Sequence, residues 1–146
     1  PYWRLARVIN SVILGTPAYG VIRASALRQT RLIDAFFSSD YVLFAELAML
    51  GEIWELPELL LRKRIHPARA TVAHKSMQDY VWWLDPRRRP GRRVLRVVHK
   101  LACEYVKSAW RLPLRPYERV MCSVIGLYCH YWRRWNDKLA RLSGGD

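Results

Sequence analysis

The sequence predicts an α/β chain, mostly helical with a small mixed sheet. Apolar residues recur at three- and four-residue spacing in several stretches, which is helix periodicity. Between residues 53 and 66 the spacing changes to the alternation expected of strands. With 51% hydrophobic residues, seven Trp and eight Tyr over 146 residues, the chain carries enough apolar surface for a real core. Disorder is excluded as the default on the same composition.

The first expected helix covers residues 3–13, where Leu5, Val8, Ile9, Val12 and Ile13 share a stripe before Gly15 and Pro17 end it. A short strand is expected over residues 19–22 and a short helix over 24–30. Next comes the unit around which the rest is organised. Leu43, Phe44, Leu47, Ala48 and Leu50 form an apolar helical stripe, with Ser38, Ser39 and Asp40 as cap candidates and Gly51 as terminator. Strands are expected at residues 53–56 and, after Pro57, at 59–66. Alternation along the second places Leu59, Leu61, Lys63 and Ile65 on one side and Leu60, Arg62, Arg64 and His66 on the other. Two guanidiniums and an imidazole then share one face.

Residues 71–84 read as a helix carrying Tyr80, Trp82 and Trp83, stopped by Pro86. A basic loop with Arg87, Arg88, Arg89, Arg92 and Arg93, punctuated by Pro90 and Gly91, follows. Beyond it, Val94, Val97, Val98, Leu101, Ala102 and Tyr105 make a helix stripe. A last helix over residues 117–142 has Val120, Val124, Leu127, Tyr128, Tyr131, Trp135, Leu139 and Leu142 on its apolar side. The sequence shows neither internal repeats nor low-complexity segments.

The formal net charge is +13, and it is unevenly placed. Residues 1–86 hold ten Lys/Arg against eight Asp/Glu, whereas residues 87–146 hold fifteen against four. Two regions are therefore expected: residues 1–86, and a basic, aromatic-rich helical extension over 87–146. The three cysteines, Cys103, Cys122 and Cys129, contain no Cys-x-x-Cys pair and are odd in number, which argues against a zinc ribbon and against a closed disulfide framework. Cys122 and Cys129 are seven apart, on one helical face, and are expected as buried thiols. No apolar run reaches the roughly 20 residues that a membrane-spanning helix needs. The chain starts at Pro1 without an initiator Met and reads as a fragment.

Tyr19-Gly20-Val21-Ile22-Arg23-Ala24-Ser25-Ala26-Leu27-Arg28, Ser39-Asp40-Tyr41-Val42-Leu43 with Glu46-Leu47 and Gly51, and Arg64-Ile65-His66-Pro67 stand in this order. Together they resemble the acceptor half of a family 2 glycosyltransferase, over roughly residues 1–86. In that family a Gly-x-x-Arg segment precedes a carboxylate-led helix and then an Arg-x-His-Pro strand end. The family usually writes Glu-Asp where this chain has Ser39-Asp40, so one carboxylate carries over. The resemblance implies the C-terminal half of a GT-A, Rossmann-like fold, with the basic helices as an extension. It also implies an inverting transfer of a sugar from a nucleotide sugar to a hydroxyl acceptor such as a glycan or lipid-linked sugar.

Within that implication Asp40 is the catalytic base, since inversion needs a group to take the acceptor proton. A carboxylate at a helix start is favoured in its ionised form by the N-terminal amides. Arg64 and His66 are expected at the donor diphosphate or at a divalent metal, Mn or Mg, on the departing nucleotide. Gly20 and Arg23 are expected beside the acceptor. Glu46 falls on a different side of its helix from Asp40, so a paired-carboxylate site is not expected. The family's donor half, with its Asp-x-Asp metal motif, has no match here, and this chain alone is expected to be inactive, the metal being held mainly by the missing part. The expected location is cytoplasmic or peripheral on the inner face of a membrane. The alternative is a non-enzymatic basic module that binds anionic membrane, or less readily nucleic acid, through Arg87 to Arg93 and the helices that follow.

Overall fold

The computed structural model describes residues 1–11, 16–62 and 95–143. Five α-helices appear among them: α1 (Tyr2–Ser11), α2 (Ala24–Leu27), α3 (Ser39–Leu50), α4 (Leu95–Arg111) and α5 (Pro116–Ser143), with a 3-10 turn at Thr16–Tyr19. No strand occurs among the described residues, so the expected α/β class with a mixed sheet is corrected to all-helical.

Each expected strand fails for a physical reason. Residues 19–22 begin inside the 3-10 turn, closed when the Gly20 amide donates to the Pro17 carbonyl at 3.1 Å. Residues 53–56 and 59–62 have no regular structure, and Trp54, Leu59 and Leu60 are among the most exposed apolar side chains. Alternation can suit a strand, but the strand exists only when a neighbour completes the backbone ladder. Among the described residues neither segment has one, and Pro57 removes a donor between them. Residues 63–66 of the second expected strand and the expected helix at 71–84 lie outside the described residues.

α3 is the central helix. Val42, Leu43, Phe44, Ala45, Glu46, Ala48 and Met49 are all buried, so it is covered on more than one side rather than along a single stripe. α1 and α4 both pack against it, and α5 packs against α1 and α4. One core results, built from Leu5 and Ile9 of α1, Val42, Ala45 and Met49 of α3, Tyr105 and Ala109 of α4, and Cys122 and Cys129 of α5. The two cysteines are buried as expected.

The helix ends are satisfied across elements. Arg4 of α1 donates from Nε to the Ala48 carbonyl at 2.8 Å and from Nη2 to the Met49 carbonyl at 3.2 Å. Those carbonyls belong to the last turn of α3 and have no acceptor role inside it, so a guanidinium there satisfies them and complements the helix dipole. Gly51 then stops the helix, its amide donating to the Leu47 carbonyl at 2.9 Å. In the same way Arg133 of α5 donates to the Ile9 carbonyl near the end of α1.

α5 buries its cysteine side, as expected of the thiols, but not the expected stripe through Val120, Tyr128 and Trp135. Cys122, Gly126, Cys129 and His130 turn inward, while Val120, Val124, Tyr128, Tyr131, Trp135 and Leu139 are exposed. Gly126 explains the choice: a Cβ there would stand 3.3 Å from the Cβ of Tyr105 and 3.8 Å from Leu5 Cδ2. A bare backbone lets α5 approach α4 and α1 closely, and the aromatic side is too bulky to take that place.

Candidate functional site

Asp40 stands in the first turn of α3. The chain reaches it through Ser38, which adopts the left-handed conformation at φ 62° and makes no side-chain cap bond. Such a conformation is rare for a non-glycine residue and is held here by the surrounding structure. Its carbonyl accepts from the Tyr41 amide at 3.1 Å, and Ser39 behind it is buried. Asp40 is left half-buried at the mouth of the helix.

Burial pushes the Asp40 carboxyl above its ordinary 3.8, and the amides of Tyr41 and Asp40 itself draw it back only in part. The dipole argument from the sequence pointed the other way; desolvation of the charged form outweighs it. The result is a carboxylate with more appetite for a proton than a surface Asp. Tyr105 lies near: burial raises its hydroxyl's pKa first, Arg133 opposes, and the charges of Tyr41 and Asp40 add to the rise. That hydroxyl stays protonated throughout the working range of a carboxylate.

Six residues further along α3, the carboxylate of Glu46 is completely buried. Its Oε2 accepts the backbone amide of Arg31 at 2.8 Å and pairs with Nη2 of Arg111 at 2.9 Å. Its Oε1 accepts Arg31 Nε at 3.0 Å and the Ser108 hydroxyl at 2.7 Å. Arg31 continues the network, donating from Nη2 to Ser108 Oγ at 2.8 Å and from Nη1 to Glu104, which also pairs with Lys107 at 2.9 Å. Burial pushes Glu46 up, but Ser108, the Arg31 amide and the guanidiniums of Arg111 and Arg31 together hold it below its usual value. This cluster ties the segment before α3 to α3 and α4. It fixes the helix that presents Asp40.

The sequence did not point to this cluster. The sequence places Glu46 on a different side of its helix from Asp40, and the signal that could have found it is a carboxylate in the middle of the otherwise apolar run from Val42 to Leu50. A buried charge needs a cation, and Arg31 is the nearest upstream candidate. The turn that delivers Arg31 is marked by Leu32 at φ 60°. Thr30 holds it, donating its hydroxyl to the Leu27 carbonyl at 2.7 Å and accepting the Leu32 amide at 3.3 Å.

Of the other expected site residues, Gly20 and Arg23 lie exposed on the segment leading into α2, and no hydrogen bond or ion pair among the described residues joins them to Asp40. Arg64, His66, Arg87, Arg88, Arg89, Arg92 and Arg93 lie outside the described residues. Beside the start of α3 is a depression of about 190 Å³ of empty space, lined by Arg31, Leu32, Asp34, Phe36, Ser39 and Val42. That space is partly open solvent, and the enclosed part would hold little more than one water molecule, far too little for a small ligand. Among the described residues no three His, Cys, Asp or Glu side chains come together to hold a metal ion. No helix among them is long and apolar enough to cross a membrane. In comparisons with protein-family models, with curated proteins and with solved structures, the chain matches none.

Proposed function

We propose that this chain is the acceptor-side half of an inverting glycosyltransferase that resembles family 2, with the donor-binding half lying outside it. The single observation that carries the reading is Asp40, half-buried at the mouth of a rigidly held helix, its carboxyl raised above the ordinary range by desolvation. The order of the Gly20–Arg23, Ser39–Asp40 and Arg64–His66 motifs supports it from the sequence. The absence of strands among the described residues means that no sheet supports it.

In the proposed step the Asp40 carboxylate takes the proton of an acceptor hydroxyl as the oxygen's lone pair forms a bond to the anomeric carbon. The bond from that carbon to the nucleotide diphosphate breaks on the opposite face, its electron pair leaving with the phosphate. Asp40 ends protonated and the anomeric centre inverted. A raised pKa helps, because a base nearer the working pH accepts the proton with more driving force. The Glu46 cluster acts on this step only by holding α3 in place.

The test uses the complete protein to which this chain belongs, with a panel of nucleotide sugars and Mn²⁺ or Mg²⁺, and compares wild type with Asp40→Asn. Transfer is expected to fall by about 10²-fold or more with donor binding retained, the scale of losing a general base. Transfer that survives the substitution would return Asp40 to a purely structural role.

A further inference from the structure

We propose that the outer face of α5 seats on an anionic lipid surface, with its aromatic side chains at headgroup depth. Tyr117, Val124, Tyr128, Tyr131, Trp132 and Trp135 stand on this face, all exposed, with Trp135 59% and Tyr128 61% accessible. They repeat at the three- and four-residue spacing of one helical side. Cys122, Gly126 and Cys129, roughly 180° around the helix at 100° per residue, are the residues that enter the core. The helix thus has two apolar sides, one packed into the core and one that the described residues leave exposed.

The rings are held ready. Tyr128 stacks on Trp132 with centroids 5.9 Å apart and planes 14° from parallel, and the Tyr131 hydroxyl meets His99 Nδ1 at 2.9 Å. Amphipathic Trp and Tyr rings are the side chains that settle at a membrane–water boundary.

Charge selects the occupant. Residues 87–146 carry fifteen Lys/Arg against four Asp/Glu, and Arg134 and Arg115 are exposed along α5 and at its start. A second copy of the chain would bring the same positive excess against its own. An anionic lipid surface supplies the opposite sign together with an apolar interior for the rings. Aliphatic Val120, Val124 and Leu139, interleaved with the aromatics on the same side, fit acyl chains and have no use in stacking on nucleic acid bases. Because no described helix can span a bilayer, α5 would lie in the surface plane.

The experiment is co-sedimentation of the chain with vesicles of phosphatidylcholine alone and of phosphatidylcholine mixed with phosphatidylglycerol, with tryptophan emission recorded in parallel. Binding is expected only with the anionic vesicles, accompanied by a blue shift, and weaker in high salt. Trp132→Ala with Trp135→Ala should lower the binding constant about tenfold or more, since the two largest rings are lost from this face. Trp54→Ala, on the exposed segment before Pro57, should leave it unchanged. Arg134→Glu, a second exposed variant read at low salt, should weaken it as well. Circular dichroism confirms that each variant keeps its helices. Equal binding to both kinds of vesicle would overturn the proposal. So would an absence of binding to the anionic vesicles, with concentration-dependent dimers or tight binding of a single-stranded oligonucleotide then naming the other occupant.

Discussion

Replacing Glu46 by Gln should destabilise the chain by about 3 kcal/mol. The Glu46 side chain is fully buried and receives four donors, two of them guanidiniums. Removing one partner of a buried ion pair costs about 3–5 kcal/mol, because the remaining charge is left unpaired. The lower end applies, since the side chains of Arg31 and Arg111 are 31% and 38% exposed and water relieves part of their loss. Gln keeps the shape and one acceptor, so no cavity adds to the cost. For a chain of 146 residues the loss corresponds to a drop of about 10 °C in melting temperature. Far-UV circular dichroism on heating, and in urea at constant pH, reads it. The pH dependence adds a second check. The folded-state pKa of Glu46 lies below its usual 4.5, so its stabilisation is fully present above 4.5 and is lost as pH falls through the folded value. Glu46→Gln should therefore flatten part of the acid limb of the stability curve. A fall of less than about 1 kcal/mol at neutral pH, with the acid limb intact, would refute the view that this cluster braces α3.

Asp40→Asn should leave the melting temperature at neutral pH equal to or above that of wild type. Its folded pKa is raised above 3.8, so the folded form loses stability as pH rises from 3.8 through the folded value, and an uncharged amide avoids that cost. A loss of about 1 kcal/mol or more in urea would instead show that the helix dipole outweighs burial at this position. Gly126→Val should cost about 1–3 kcal/mol by overpacking, because the Tyr105 Cβ 3.3 Å away belongs to a side chain 2% exposed and has nowhere to move. Denaturant unfolding measures it, and a stabilised variant would mean that α5 can shift away from α4 without loss.

Much of the helical content was legible because it is written locally. The 3/4 spacing around Leu5 and Ile9, around Leu43 and Phe44, and around Ala102 and Tyr105 predicts helices that are present, and Gly51 ends α3 where it was expected to. The placement of Asp40 in the first turn of α3 was legible for the same reason. The pKa direction was not, since desolvation depends on what the rest of the chain lays over the helix start. The strands expected at 19–22, at 53–56 and over the described start of 59–66 are absent, because alternation states only which side chains could share a face. It does not supply the neighbouring backbone that a ladder needs.

The sequence by itself determined where helices form, the charge imbalance that leaves residues 87–146 strongly basic, and the carboxylate at the head of α3. Where described, the expected stripes of α1 and α4 are the buried ones, but only the tertiary structure decided which side of α5 is inside. On α5 two apolar sides competed, and the inward one was chosen by the close approach that Gly126 permits to Tyr105, which no periodicity encodes. The joining of Glu46 to Arg31, Ser108 and Arg111 was likewise decided there, because those partners stand 15, 62 and 65 positions away along the chain. A buried charge is stable only where the fold brings donors to it from such distances.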